Sequence, residues 1–141
     1  MSRPWKQLAA TVLVASWVVL LSGCTPAENS LDGTQWKLAE WTVSSIDPAD
    51  VTITATFADG RISGNSGVNS YSGPYKLGSS NAFSAGPLAS TQMAGPEPAM
   101  RAEGAYVTLL AQAASFKLGA GNLTLYDNGG NESLIFESTS K

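Results

Sequence analysis

The chain has 141 residues, enough for one domain, with eight Lys and Arg against eleven Asp and Glu and a net charge of −3. It holds no histidine and a single cysteine, Cys24. That composition excludes a Ser-His-Asp triad, a Cys-His pair and most zinc or transition-metal sites, and the acidic balance argues against a nucleic-acid partner.

The amino-terminal segment reads as a targeting signal. Arg3 and Lys6 give it a basic start, and Leu8 to Leu21, "LAATVLVASWVVLL", is an uncharged run of 14 residues. A membrane-spanning helix needs roughly 20. Leu21-Ser22-Gly23-Cys24 resembles a bacterial lipobox. That resemblance implies cleavage before Cys24, thioether lipidation of its sulfur and acylation of the new amino terminus. Lipidation gives the lone thiol of a secreted chain a use, and several acyl chains anchor stably where one is marginal. The expected organisation is a signal over residues 1–23, the lipidated Cys24 and a polar tether over 24–30, one domain over 31–137 and a tail over 138–141. From Cys24 onward, six basic residues face eleven acids, a net charge of −5. The expected partners are the membrane, through the lipid anchor, and an envelope protein. A tether this short keeps the domain close to the extracytoplasmic membrane surface, since six residues reach at most about 20 Å.

"GTQWKLAEWTV", residues 33–43, begins with partial alternation and predicts a strand. "SSIDPAD" is a loop by its Ser, Pro and Asp content. "VTITATF", residues 51–57, alternates cleanly: Val51, Ile53, Ala55 and Phe57 face one way and three threonines the other. Asp59-Gly60 is a hairpin dipeptide, which returns "RISG" antiparallel. "GNSGVNSYSGPY", residues 64–75, is rich in turn formers and predicts a tight reversal. It is also a candidate recognition loop, through Asn65, Asn69, Tyr71 and Tyr75, because Tyr and Asn suit adaptable contacts. "PYKL" is short and strand-like, "GSSN" a turn, and "AFSAGPLASTQM" two extended pieces broken at Gly86-Pro87.

The one helix lies in "PEPAMRAEGAYVTLLAQAAS". Pro98 suits a first helical position, Glu97 favours the amino-terminal end, and Met100, Val107, Leu110 and Ala114 repeat at helical spacing. "FKL", "LTLY" and "SLIF" follow as strands, separated by "GAGN" and "DNGGN". The helix interrupts the strands and does not alternate with them. The predicted fold class is therefore α+β: an antiparallel, strongly curved or barrel-like sheet of about eight strands with one helix packed against it. Trp36, Phe57, Leu123, Leu125, Leu134 and Phe136 are its expected core.

No catalytic residue, metal ligand or cofactor site is assigned. The loop at 64–75 lacks the G-K-[ST] of a phosphate cradle, and no S-x-x-K or G-x-S-x-G appears. "DNGGNE", residues 127–132, has too few oxygen ligands for an EF-hand and predicts a turn. Glu103 falls on the helix's apolar stripe, where a carboxylate must be paired or hydrogen-bonded.

Four motifs in order, "LDGTQWKL", "GNSGVNSYSGPY", "LASTQMAGPEPAM" with Glu103 after it, and "LTLYDNGGNESLIF", together resemble the META/HslJ-like domain. The resemblance implies a mixed α/β fold with a barrel-like sheet and one helix. It also implies a non-enzymatic envelope lipoprotein serving stress tolerance or protein contacts. The alternatives are a barrel that binds a small ligand and a protease-inhibitor-like protein that presents "SSIDPAD" or residues 64–75. The pattern keeps Asn69 and Glu103, so Asn69 or the nearby loop backbone is expected to satisfy the Glu103 carboxylate as a structural clamp; the alternative is a catalytic acid of raised pKa, for which the sequence shows no partner. It departs at two positions where the family has cysteines, here Val68 and Gly95. If relatives bridge those cysteines, Val68 and Gly95 lie side by side, with Val68 filling the space of the bridge.

Overall fold

The computed structural model describes residues 30–43 and 45–140. The proposed signal, Cys24 and all of the tether except Ser30 lie outside the described residues. Among the described residues nine strands and one α-helix follow in order: β1 (Thr34–Trp41), β2 (Thr54–Ala58), β3 (Arg61–Asn65), β4 (Ser70–Leu77), β5 (Phe83–Ala85), β6 (Ala89–Ser90), α1 (Glu97–Gln112), β7 (Ser115–Leu118), β8 (Asn122–Tyr126) and β9 (Glu132–Ser138). No helix among the described residues is long and apolar enough to cross a membrane.

Alternation builds the sheet. Ile53, Ala55 and Phe57 are fully buried, while the threonines between them are half-buried or exposed. Asp59 and Gly60 take φ of 52° and 71°, the left-handed pair that a two-residue hairpin requires, so Ala58 pairs with Arg61. Every pairing is antiparallel, in the order β5-β4-β3-β2-β1-β9-β8-β7, with β6 on the β5 side of β4. The two ends of that path meet. Ala82 bridges Ser115, and the Phe83 N–H donates to Ala114 O at 2.9 Å. The sheet is thus a nearly closed barrel. Side chains fill it, Leu31, Ile53, Phe57, Leu125, Leu134 and Phe136 among them, and the expected core residues are all buried.

The helix begins after Pro96 with Pro98 in its first turn, where a missing N–H costs nothing. Glu97 and Arg101 pair at 3.7 Å, but both are well exposed and the pair adds little. The inward stripe differs from the expected one. Ala102, Tyr106 and Leu110 are buried, Ala114 is half-buried and Met100 is exposed. The helix is turned so that its one aromatic ring faces the core, with the Tyr106 ring centroid 5.5 Å from Tyr71 and 6.4 Å from Phe136. A second difference lies at residues 64–75. The reversal is confined to Ser66–Asn69, and β4 starts at Ser70 in a stretch of small polar residues. Its ladder to β3 runs from Asn65↔Ser70 to Arg61↔Pro74.

Candidate functional site

The Ser66–Asn69 turn is pressed onto the first turns of α1. The Ser66 N–H closes it on Asn69 O at 2.8 Å. Gly67 has φ of +129°, and a Cβ there would come within 3.0 Å of Ala99 O, so a side chain would lift the turn off the helix. Glu103 points into the turn. Its Oε2 accepts from the backbone N–H of Asn69 at 2.7 Å and of Val68 at 3.2 Å, and its Oε1 accepts from Asn69 Nδ2 at 2.7 Å. The Ser66 hydroxyl lies 2.7 Å from Oε2 and 2.8 Å from Asn69 O, and its single proton serves one of them at a time.

Asn69 is almost fully buried and uses all four hydrogen-bonding positions of its amide. Besides Glu103, Nδ2 donates to Met93 O at 3.1 Å. Oδ1 accepts from Met93 N–H at 2.7 Å and from the Thr91 hydroxyl at 2.8 Å. Two residues therefore join three pieces of chain: the β3–β4 turn, the helix and the segment that leads into it. Partial burial pushes the Glu103 carboxyl up. The hydrogen bonds from the Asn69 side chain and backbone, Ser66 and Val68 together outweigh that and hold it below its ordinary value. The carboxylate is kept ionised, which suits an anchor and not a proton donor at neutral pH.

A second polar cluster sits deeper. The Tyr71 hydroxyl donates to Thr54 O at 2.9 Å, which leaves Tyr106 as the donor in the 2.6 Å contact between the two phenols. Burial raises both groups above the usual tyrosine range, so both stay neutral. Tyr71→Phe strands the Thr54 carbonyl and the Tyr106 hydroxyl together and is expected to cost about 2–3 kcal/mol. Tyr106→Phe removes only the outer link and costs about 1 kcal/mol. Urea unfolding of the two variants checks this, and equal losses contradict the chain Tyr106 to Tyr71 to Thr54.

The candidate recognition residues separate. Asn69 and Tyr71 are buried. Tyr75 is half-buried on Phe57, with ring centroids 4.9 Å apart. Asn65 is half-buried and holds the Gly67 N–H through Oδ1 at 2.8 Å. They do not form an outward surface, because all four side chains are engaged with the core or with the turn itself. Val68 and Gly95 are brought together. A Cβ built on Gly95 would lie 2.7 Å from Val68 Cγ2 and 3.4 Å from Val68 Cβ. Sequence reasoning did not single out Ser66, Thr91, Met93 or Tyr106. Nothing in their spacing marks them, since each is defined by a partner at least 22 residues away.

Asp127 Oδ1 accepts from Gly129 N–H at 2.8 Å and Asn131 N–H at 2.9 Å, so this carboxylate serves its own turn. Among the described residues no group of three or more His, Cys, Asp or Glu is placed to hold a metal ion. A surface depression of about 470 Å³ lies between the end of β4, the turn at 78–81 and β7; it is lined by Ser30, Leu77, Gly78, Ser79, Ser80, Asn81 and Phe116, none of them titratable.

A family model described as the META domain matches residues 29–140. An NMR structure of a protein from Burkholderia xenovorans is 30% identical, with a TM-score of 0.65 over 79% of this chain and 85% of that one. A crystal structure of a DUF4847 family protein from Bacteroides vulgatus is 13% identical, with a TM-score of 0.55 over 76% of this chain and 93% of that one, a likeness of fold alone. A further NMR structure is 24% identical with a TM-score of 0.54, over 76% of this chain and 90% of that one. No curated protein matches the chain.

Proposed function

Because the chain belongs to the META domain family, we propose that it is a lipid-anchored extracytoplasmic protein that acts by contact with an envelope protein and not by catalysis, in a role in envelope stress tolerance. One observation carries the non-catalytic part. Glu103, the carboxylate best placed to act as an acid, has both oxygens occupied by donors from the turn beneath it. The anchoring part rests on Leu21-Ser22-Gly23-Cys24 after a short apolar run. A filled barrel with a pinned turn is a rigid body, which suits presentation of a surface more than closure over a substrate.

The test expresses the full chain in a bacterium fed labelled palmitate. The wild type incorporates label and gains the mass of a diacylglyceryl group and an acyl chain on Cys24; Cys24→Ala does neither. A wild-type chain that is processed and released without label overturns the anchoring. For the contact reading, Glu103→Gln is compared with wild type for stress tolerance at a temperature where both remain folded. Equal tolerance is expected. A folded variant that fails to protect overturns the non-catalytic reading.

A further inference from the structure

β6 pairs with β4 alone, through Ser72↔Ala89 and Tyr71↔Ser90. The N–H of Thr91 donates to Ser70 O at 3.0 Å. Peptide groups alternate sides along an antiparallel strand, so Ala89 and Thr91 face β4 and Ser90 faces away from it. The alternation continues past the end of β6. Met93 gives both its N–H and its C=O to the Asn69 side chain, at 2.7 and 3.1 Å. The Asn69 carboxamide takes the place of a peptide unit and extends the ladder by one step. Gln92 and Ala94 then carry their peptide groups on the same outer side as Ser90. These three make no hydrogen bond with another described residue, and residues 89–94 are all exposed.

Exposed edges are normally blunted by charge, proline or a bulge. Residues 89–94, "ASTQMA", carry neither charge nor proline. Beside the edge, Ser70, Tyr71, Ser72, Ala89, Ser90 and Thr91 line an open depression of about 390 Å³; none of the six is charged, and the nearby Arg61 guanidinium is engaged with the Ser72 hydroxyl at 3.3 Å. Strand addition takes its affinity from such main-chain groups and its selectivity from such side-chain recesses. We propose that the outer edge at Ser90, Gln92 and Ala94 binds an extended, uncharged peptide segment of a partner protein, which joins the barrel as a further strand. This rests on the contact-based function above and names the surface that makes the contact. A second copy fits less well. Six residues of edge span only about 20 Å, whereas a stable dimer needs roughly 800 Å² from each partner, and a second rigid barrel cannot bend into the adjoining recess.

The probe is an acetylated, amidated hexapeptide of alternating Thr and Val, added to the full ¹⁵N-labelled chain in detergent micelles. Exchange of the Ser90, Gln92 and Ala94 amides is expected to slow at least about fivefold, with Ala89, Thr91 and Met93 unchanged. The same peptide N-methylated on its edge-facing amides gives no slowing. Gln92→Pro deletes one outward donor without touching the inner ladder, and it abolishes the effect while the unfolding temperature stays within a degree or two. Three results overturn the proposal: no slowing at millimolar peptide, equal slowing with the N-methylated peptide, or slowing that follows protein concentration without peptide, which assigns the edge to a second copy. Intact mass of the same sample reads Cys24 lipidation separately. An unlipidated chain whose edge is protected faults only the anchoring, and a lipidated chain whose edge is not protected faults only the strand addition.

Discussion

Glu103→Ala is expected to lower the free energy of unfolding by about 3–5 kcal/mol, a large part of the stability of a domain this size. The loss has two sources. Three hydrogen bonds from Asn69 and Val68 disappear with the carboxylate, each bond to a charged group being worth about 1.5–3 kcal/mol before compensation by water. The almost fully buried Asn69 amide is also left with a free N–H. Glu103→Gln costs less, about 1–3 kcal/mol, because an amide keeps one acceptor but turns an NH₂ toward a donor. The pH dependence has a definite sign. The folded carboxyl sits below its ordinary value, so the folded state binds the proton less readily than the unfolded chain. The stabilisation is complete above the unfolded carboxylate range and is lost as pH falls through the folded value. Stability of the wild type therefore falls on acidification below about pH 4–5, and the Glu103→Gln curve lacks that component. Urea unfolding at pH 7 and at pH 3 measures both effects. A loss below about 1 kcal/mol for Glu103→Ala at pH 7 contradicts the clamp.

Val68→Cys with Gly95→Cys is expected to form a disulfide spontaneously in an oxidising buffer. A Cβ on Gly95 would lie 3.4 Å from Val68 Cβ, a tenth of an ångström under the roughly 3.5–4.5 Å seen across disulfides, so a small backbone adjustment brings the pair into range. The bridge closes a loop of about 27 residues, for which the chain-entropy relation gives about 3.5 kcal/mol. That corresponds to a rise of roughly 10–20 °C in unfolding temperature for a domain of this size. The single variants behave differently. Gly95→Cys alone drives its Cβ into the Val68 methyls, 2.7 and 2.9 Å away, and destabilises. Val68→Cys alone loses apolar volume at the same contact. The double variant is measured in a Cys24→Ser background, so that no third thiol competes. It gains its stability only when oxidised; equal melting temperatures with and without reductant contradict the juxtaposition. In this chain the contact between turn and pre-helix segment is made by packing and by Asn69, where a covalent link would also fit.

Legibility in the sequence followed the physics of each element. "VTITATF" was readable because a half-buried strand must alternate, and Asp59-Gly60 because a two-residue hairpin needs two positive φ angles. Of the strand at Ser70–Leu77 only the end, "PYKL", was legible; its first half was not, because those residues are chosen for the ladder and for tight approach, with Tyr71 as the one large inward side chain among them. The helix was found, and Leu110 and Val107 of its expected face do pack on the core, but Tyr106 was missed and Met100 is exposed. Periodicity alone does not rank Met100 against Tyr106, and the hydroxyl partner that lets a tyrosine be buried lies 35 residues away in sequence. The need of Glu103 for a partner was legible from its place among apolar residues. The surrogate peptide made by Asn69, and the open edge it creates at residues 90–94, depend on a side chain meeting a backbone 24 residues further on. No local pattern encodes that.

The central claim is that Asn69 and Glu103 act as one unit joining turn, helix and pre-helix segment. The most direct test is a double-mutant cycle on unfolding free energy with Asn69→Ala, Glu103→Ala and the pair. A shared unit predicts that the double variant loses less than the sum of the singles, with a coupling of about 1–3 kcal/mol. Losses that add to within about 0.5 kcal/mol would mean that the two residues act independently, and the clamp would not exist.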